Sequence, residues 1–260
     1  GSYKNGKYDK NAVAGANLTT TLDATLQAYG EKLMQNKKGS IVAIEPSTGE
    51  ILAIVTSPSY NPALLVGRVR TKNYLKLLKD TLKPLFNRAV MAKYPPGSTF
   101  KTINALIGLQ EKVLYINTQY SCHGGYHAGG ITVKCHHHPS PLDLTHAIQY
   151  SCNAYFCNVY RSIIDNPKYL SAEDGYKAWR DYITSFGLGN KLGSDLPNEL
   201  SGNVPTCKYY DKYYGKNHWG SLTTISLAIG QGELGITPLQ LANMTATIAN
   251  RGFYYIPHIV

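Results

Sequence analysis

Two almost wholly apolar runs, Ile41-Val42-Ala43-Ile44 and Ile51-Leu52-Ala53-Ile54-Val55, flank the segment Pro46-Ser47-Thr48-Gly49. Short β-branched runs of this kind read as strands, and the Pro/Gly-bearing spacer reads as the turn of a β-hairpin. A strand with a solvated face alternates apolar and polar residues. These two do not, so the hairpin is expected to be covered on both faces. Helices supply the cover. Leu22, Leu26, Tyr29 and Leu33 recur at helical spacing, with Gly39 placed as a stop. A basic helix is expected over about Lys72–Lys83, and another runs from Ser98 to about Lys112 after the break at Tyr94-Pro95-Pro96-Gly97. A long helix follows over about Leu144–Ile164, while residues 118–141 show no period and 187–220 read as a long loop. Near the end, Thr237 suits an N-cap and Pro238 a first helical position; Leu239, Ala242, Ala246 and Ala249 line one face, and Gly252 marks the stop. Strands and helices in separate runs imply an α/β or α+β fold with an antiparallel sheet.

Composition removes other classes. Over 260 residues, 43% are hydrophobic and only 16% charged, which excludes a disordered chain or a coiled coil. No apolar run is long enough to cross a bilayer. Gly1-Ser2 reads as an expression scar, and residues 1–17 as that scar plus a polar linker. The net charge of +10 is compatible with a solvated basic face or with an anionic surface or polymer. The five cysteines, at 122, 135, 152, 157 and 207, are an odd number and argue against a complete disulfide framework.

Ser98-Thr99-Phe100-Lys101 places a hydroxyl at a helix start and an amine one turn later on the same face. A serine needs a base within reach to become a nucleophile. A lysine serves when burial lowers its pKa. Ser151-Cys152-Asn153 sets a second hydroxyl and a carboxamide two residues apart. Two residues apart they do not share a helix face, so a turn between helices, with both side chains in a cleft, suits them better than mid-helix positions.

S-x-x-K followed by S-x-N resembles the opening motifs of the penicillin-recognising serine acyl-transferases. Further fragments extend the resemblance in the same order: Gly39 through Ala53, Ser57-Pro58-Ser59-Tyr60-Asn61-Pro62, Asn87-Arg88-Ala89-Val90, Ile229-Gly230-Gln231-Gly232, Thr237-Pro238-Leu239-Gln240-Leu241-Ala242 and Ala249-Asn250-Arg251-Gly252. Together they are similar to the transpeptidase domain of the class B penicillin-binding proteins, in the style of penicillin-binding protein 2. The resemblance implies an antiparallel sheet flanked by helices plus an all-helical subdomain over residues 18–260. The family's third motif, Lys-Thr/Ser-Gly, is expected beyond Val260 with the remaining strands, so the domain is expected to be incomplete at its C-terminus. By resemblance, Ser98 attacks a D-Ala carbonyl, Lys101 takes its proton, Ser151 relays a proton to the leaving D-Ala, and Asn153 holds substrate and Lys101. The implied substrates are peptidoglycan stem peptides, with β-lactams as trapped mimics. A membrane glycosyltransferase of the elongation machinery is the implied partner. A membrane anchor is expected upstream, with the catalytic domain in the periplasm at the inner membrane. Two other readings compete: a serine β-lactamase or β-lactam sensor on the same scaffold, and a non-enzymatic metal or nucleic-acid module.

Cys122-His123, His127, Cys135-His136-His137-His138, His146 and Cys152 crowd one region with zinc-ligand chemistry. Some elongation-type members of the family resemble this in carrying a structural metal, one ligand being the middle residue of the S-x-N turn. On that resemblance Zn²⁺ is expected on Cys122, Cys135, His138 and Cys152, with His136 as the rival to His138. Free thiols with surface histidines, or a Cys122–Cys135 disulfide, remain open. The stretch Lys208 to Trp219 interleaves aromatic rings and cations. It reads first as an insertion packed on its own domain, second as a glycan contact, and least as a nucleic-acid platform.

Overall fold

The hairpin forms in the computed structural model, which describes residues 7, 10 and 13–260. The expected expression scar at Gly1-Ser2 and most of the expected linker lie outside the described residues. Strands β1 (Gly39–Ile44) and β2 (Ile51–Ser57) pair antiparallel from Gly39 opposite Ser57 to Val42 opposite Ile54, with a bulge at Ala43/Ile44. The Glu45 carboxylate organises the turn by accepting bonds from the Ser47 N–H and hydroxyl.

Helix α1 (Ala24–Leu33) is capped by Asp23 and stops well before Gly39. Of the expected stripe, Leu22 packs against the core just ahead of the helix, but Leu26, Tyr29 and Leu33 are exposed. The reason is the free edge of β2. The Gln27 carboxamide donates to Ile54 O at 3.1 Å and accepts from Ile54 N at 2.9 Å, filling the place of a missing strand. That rotation brings Gly30 onto the sheet, where even a Cβ would come within 2.9 Å of Val55. On the opposite face, α3 (Arg88–Met91) and α9 (Pro238–Ala249) contribute Ala89, Val90 and Leu239 to a cluster with Val42 and Ile54. Helices thus reach both faces, but β2 is fully buried only at Ile51, Ala53 and Val55, and β1 is half-buried throughout. Each strand has one strand partner, and the outer edge of β2 is met only by isolated bonds, among them those from Ile51 N to His258 O, from Asp23 N to Leu52 O and with the Gln27 carboxamide. The basic helix α2 (Arg70–Lys79) buries no residue.

The larger core is helical. It gathers α4 (Lys101–Gln110), α6 (Asn153–Ile164), α7 (Ala172–Ser185) and the 3₁₀ turn Ile225–Ile229. Helix α6 occupies its centre, with Tyr155, Phe156, Val159, Tyr160 and Ile163 essentially inaccessible. Asn104 ties α4 to its neighbours: it accepts from Trp179 Nε1 at 2.8 Å and donates to Ala228 O at 3.0 Å.

Three regions differ from expectation. The long helix is two: α5 (Leu144–Gln149) ends before Ser151, whose φ of +48° cannot continue a helix, and α6 restarts after an extended Cys152. Residues 118–141 contain a second hairpin, β3 (Gly125–Ala128) and β4 (Ile131–Lys134), joined by Gly129-Gly130 with both φ values positive. The expected 187–220 loop contains α8 (Cys207–Tyr214), whose Tyr210 is buried with Trp219 and meets Tyr176 edge-on. The insertion does pack on its own domain. Helix α9 has the expected cap, with Thr237 and Gln240 closing a capping box, although Ala249 lies exposed.

Candidate active site

Ser98 lies on a 3₁₀ turn, Gly97–Phe100, that runs directly into α4. The Lys101 N–H donates to Ser98 O, which sets the two side chains one turn apart. Phe100, fully buried against Trp179, anchors the turn from below while Ser98 faces solvent. From the side, Gly97 N donates to Gly230 O at 2.8 Å. The approach is close enough that a Cβ on Gly230 would stand 2.2 Å from Gly97 O, and Gly230 has a φ of +68°. Gly230→Ala is therefore expected to destabilise the chain by more than about 2 kcal/mol in urea unfolding, from a backbone clash added to left-handed strain. An unchanged midpoint would mean that this turn is not tightly held.

Lys101 is almost fully buried. Its Nζ donates to Ser151 O at 2.6 Å, Ser151 Oγ at 2.8 Å and Asn153 Oδ1 at 2.7 Å. These bonds use all the donors of an ammonium group. The helix break between α5 and α6 makes the convergence possible, because it turns the Ser151 carbonyl and hydroxyl together toward α4. The Asn153 amide is held from the other end, where Nδ2 donates to Lys134 O at 2.8 Å. A flipped amide would face the lysine with N–H, so its orientation is fixed. Burial holds the Lys101 pKa below the ordinary lysine value, with the neighbouring thiols of Cys135, Cys152 and Cys157 opposing. In its neutral form the amine has a lone pair, and a hydroxyl within reach can then donate into it.

Beside this cluster, the Sγ atoms of Cys122, Cys135 and Cys152 and a ring nitrogen of His138 all lie within 4.8 Å of one another. A tetrahedral zinc with ordinary bond lengths requires ligand separations of about 3.5–3.8 Å, so the donor set fits such an ion with small adjustments. His138 Nε2 is 3.3 Å from Cys135 Sγ, and its Nδ1 is fixed 2.7 Å from Pro139 O. His136 stacks edge-on against His138 and supplies no atom to the group. No disulfide links these residues; all five cysteines are free. Although burial opposes it, the Asn153 N–H and the His138 ring hold the Cys135 thiol below its ordinary pKa, whereas burial pushes Cys152 up to about 12. Two of these sulfurs also touch the Ser151–Asn153 turn: Cys135 Sγ accepts from Asn153 N, and Cys152 Sγ caps α6 by accepting from Tyr155 N, both at 3.3 Å. Lys134 O and Asn104 were not foreseen from the sequence. The first acts through its main chain, and the second reads as an ordinary polar residue in a helix.

Residues 39–260 match the family model described as the penicillin binding protein transpeptidase domain. The peptidoglycan D,D-transpeptidase MrdA of Acinetobacter baumannii is 36% identical over 255 residues, which cover 96% of this chain and 36% of that protein. Penicillin-binding protein 2 of Pseudomonas aeruginosa, solved in complex with WCK 5153, superposes with a TM-score of 0.81 at 32% identity, covering 93% of this chain and 53% of the other. The complex of PBP2 with MreC from Helicobacter pylori gives 0.80 at 31% identity, covering 93% and 43%. The chain thus spans about a third of the length of the curated relative. With its sequence matched from the first strand of the hairpin to its last residue, the chain belongs to the penicillin-binding protein transpeptidase family.

Proposed function

We propose that this chain carries the acyl-transfer machinery of a peptidoglycan D,D-transpeptidase of the cell-elongation type. The observation that carries the reading is the convergence of Lys101 Nζ on Ser151 Oγ and Asn153 Oδ1, one turn from Ser98. In the proposed sequence, Ser98 Oγ attacks the carbonyl of the penultimate D-Ala as its proton passes to neutral Lys101. Ser151 gives its proton to the departing D-Ala amine and is resupplied from Lys101. The C–N bond breaks and an ester on Ser98 remains. An amine of a second stem peptide then attacks the ester, and Ser98 recovers its proton as the cross-link forms. Asn153 holds Lys101 and the substrate amide. A β-lactam places a ring carbonyl where the D-Ala carbonyl would be, but its leaving amine stays tethered, so the ester persists. The family's name supports this substrate mimicry.

Cys122, Cys135, His138 and Cys152 would hold zinc in a closed structural site. Bound there, the ion supplies a cross-link rather than a reactive ligand position. One of its ligands, Cys152, lies within the turn that presents Ser151 and Asn153 and another, Cys135, accepts from Asn153 N, so a bound ion would fix that turn. The MreC complex of the Helicobacter relative supports a partner within the elongation machinery, which we extend to a membrane glycosyltransferase. A membrane-anchored protein with its catalytic domain in the periplasm follows from the same reading. Among the described residues no helix is long and apolar enough to cross a membrane.

Incubation with benzylpenicillin followed by mass spectrometry tests the acyl-transfer reading. One adduct per chain, mapped to the peptide containing Ser98, is the expected result. An unshifted intact mass, or an adduct elsewhere, overturns it.

A further inference from the structure

The aromatic and basic stretch Lys208–Trp219 takes no part in the chemistry above, yet its side chains fall into two populations. Tyr210 and Trp219 turn inward and are buried. The outward arc holds two neighbouring ridges at i, i+4 spacing: Lys208 with Lys212, and Tyr209 with Tyr213. The two tyrosine rings form a tilted pair with centroids 4.8 Å apart, and Tyr213 is 63% exposed. Lys212 Nζ stands 5.8 Å from the Tyr213 ring centre. The nearby acids are already engaged: Asp211 accepts from Trp219 Nε1 at 2.8 Å, and Glu233 accepts from Tyr210 OH at 3.1 Å. These acids keep their charge, but Lys208, Lys212 and Lys216 outnumber Asp211 along this stretch, so the outer face presents a surplus of positive charge beside exposed aromatic surface.

We propose that this face of α8 is a platform for a peptidoglycan strand. Pyranose rings offer flat C–H faces that stack on phenol rings, and their hydroxyls reach the phenol oxygens. Stem-peptide carboxylates supply the negative charge that Lys208 and Lys212 lack. Location favours this occupant over other anionic polymers, because one strip of chain joins platform and nucleophile. Gly230 O receives Gly97 N at 2.8 Å, Glu233 receives Tyr210, and Ile236 O receives Tyr94 N at 3.0 Å. The strip thus ties the inner side of α8 to the turn bearing Ser98. This inference rests on the transpeptidase reading for its choice of polymer.

The test is co-sedimentation of the full chain with purified peptidoglycan sacculi, across salt concentrations. The paired substitution Tyr209→Ala with Tyr213→Ala is expected to weaken binding about tenfold at every salt concentration, the scale of losing a stacking contact. Lys208→Ala with Lys212→Ala is expected to weaken it at low salt and much less at high salt. These side chains face outward, so circular dichroism and the melting temperature should match the unaltered chain. Binding by both folded variants at the unaltered level overturns the platform. Displacement of sacculi by a single-stranded oligonucleotide also overturns it, by assigning the ridges to nucleic acid. Benzylpenicillin labelling separates the two readings: labelling of Ser98 with no effect of either pair removes the platform alone, whereas no labelling of the unaltered chain removes the transpeptidase reading.

Discussion

Lys101→Ala is expected to slow acylation by benzylpenicillin about 10³-fold, within the range for loss of a positioned general base. Two effects combine. In the proposed mechanism the proton of Ser98 loses its acceptor, and Ser151 O, Ser151 Oγ and Asn153 Oδ1 lose the donor that gathered them. Each acceptor left without a partner in a buried site costs about 1–3 kcal/mol, so the turn carrying Ser151 and Asn153 should also loosen. A melting curve separates the two. A stability effect lowers the melting temperature, whereas a base effect appears as slow acylation at temperatures where the variant remains folded. The pH profile gives a second, independent readout. Burial disfavours the ammonium form and holds the Lys101 pKa below its ordinary value. In the proposed mechanism the active species is the neutral amine, so acylation should fall as pH drops through that depressed pKa and rise to a plateau above it. In Lys101→Ala this step should vanish. Acylation of the variant at the unaltered rate, with the step intact, would remove Lys101 from the mechanism.

The local geometry of the residues proposed for catalysis was legible because each of their constraints is local. Pro95-Pro96-Gly97 announces a stiff turn, S-x-x-K spans one helical turn, and two polar residues spaced as in Ser151-Cys152-Asn153 favour a helix break. The structure adds the break itself, visible as the positive φ of Ser151. Thr237-Pro238 was equally readable, since a capping box is written in a few consecutive residues. Side-chain burial was less readable where a long-range contact intervened. Helix α1 turns its leucines outward because Gln27 and Gly30 suit the edge and surface of β2, and no periodicity within α1 encodes that preference. The second hairpin was readable after all. Gly129-Gly130 between Tyr126-His127-Ala128 and Ile131-Thr132-Val133 is a strong turn signal, masked by the dense cysteines and histidines around it. Helix α8 was hidden differently, since its repeated tyrosines and lysines show a helical face only once Tyr210 is known to point inward.

Cys152→Ser separates the proposed zinc site from the local structure around it. The Cys152 thiol has two roles that a substitution could confuse: it lies among the four clustered donors, and it caps α6 through Tyr155 N. Serine is among the best N-cap residues, so it preserves the cap while replacing a soft thiolate by a hydroxyl that binds zinc poorly. If capping were all that mattered, the variant would be as stable as the unaltered chain or slightly more so. If zinc cross-links the hairpin to the start of α6, the variant should lose most of its metal and melt about 10 °C lower, a loss of roughly 3–5 kcal/mol for a chain of this size. Acylation should also slow at least about tenfold, because Ser151 and Asn153 flank the altered residue and lose their anchor. Cys157→Ser is the control, since that thiol is equally buried yet stands outside the donor cluster. Elemental analysis, melting and penicillin labelling of both variants decide the matter. The unaltered chain should carry about one zinc, as should Cys157→Ser, and Cys152→Ser should carry little. A zinc-free unaltered chain, or a Cys152→Ser variant that melts and acylates like it, would leave the four clustered side chains as free thiols beside a histidine.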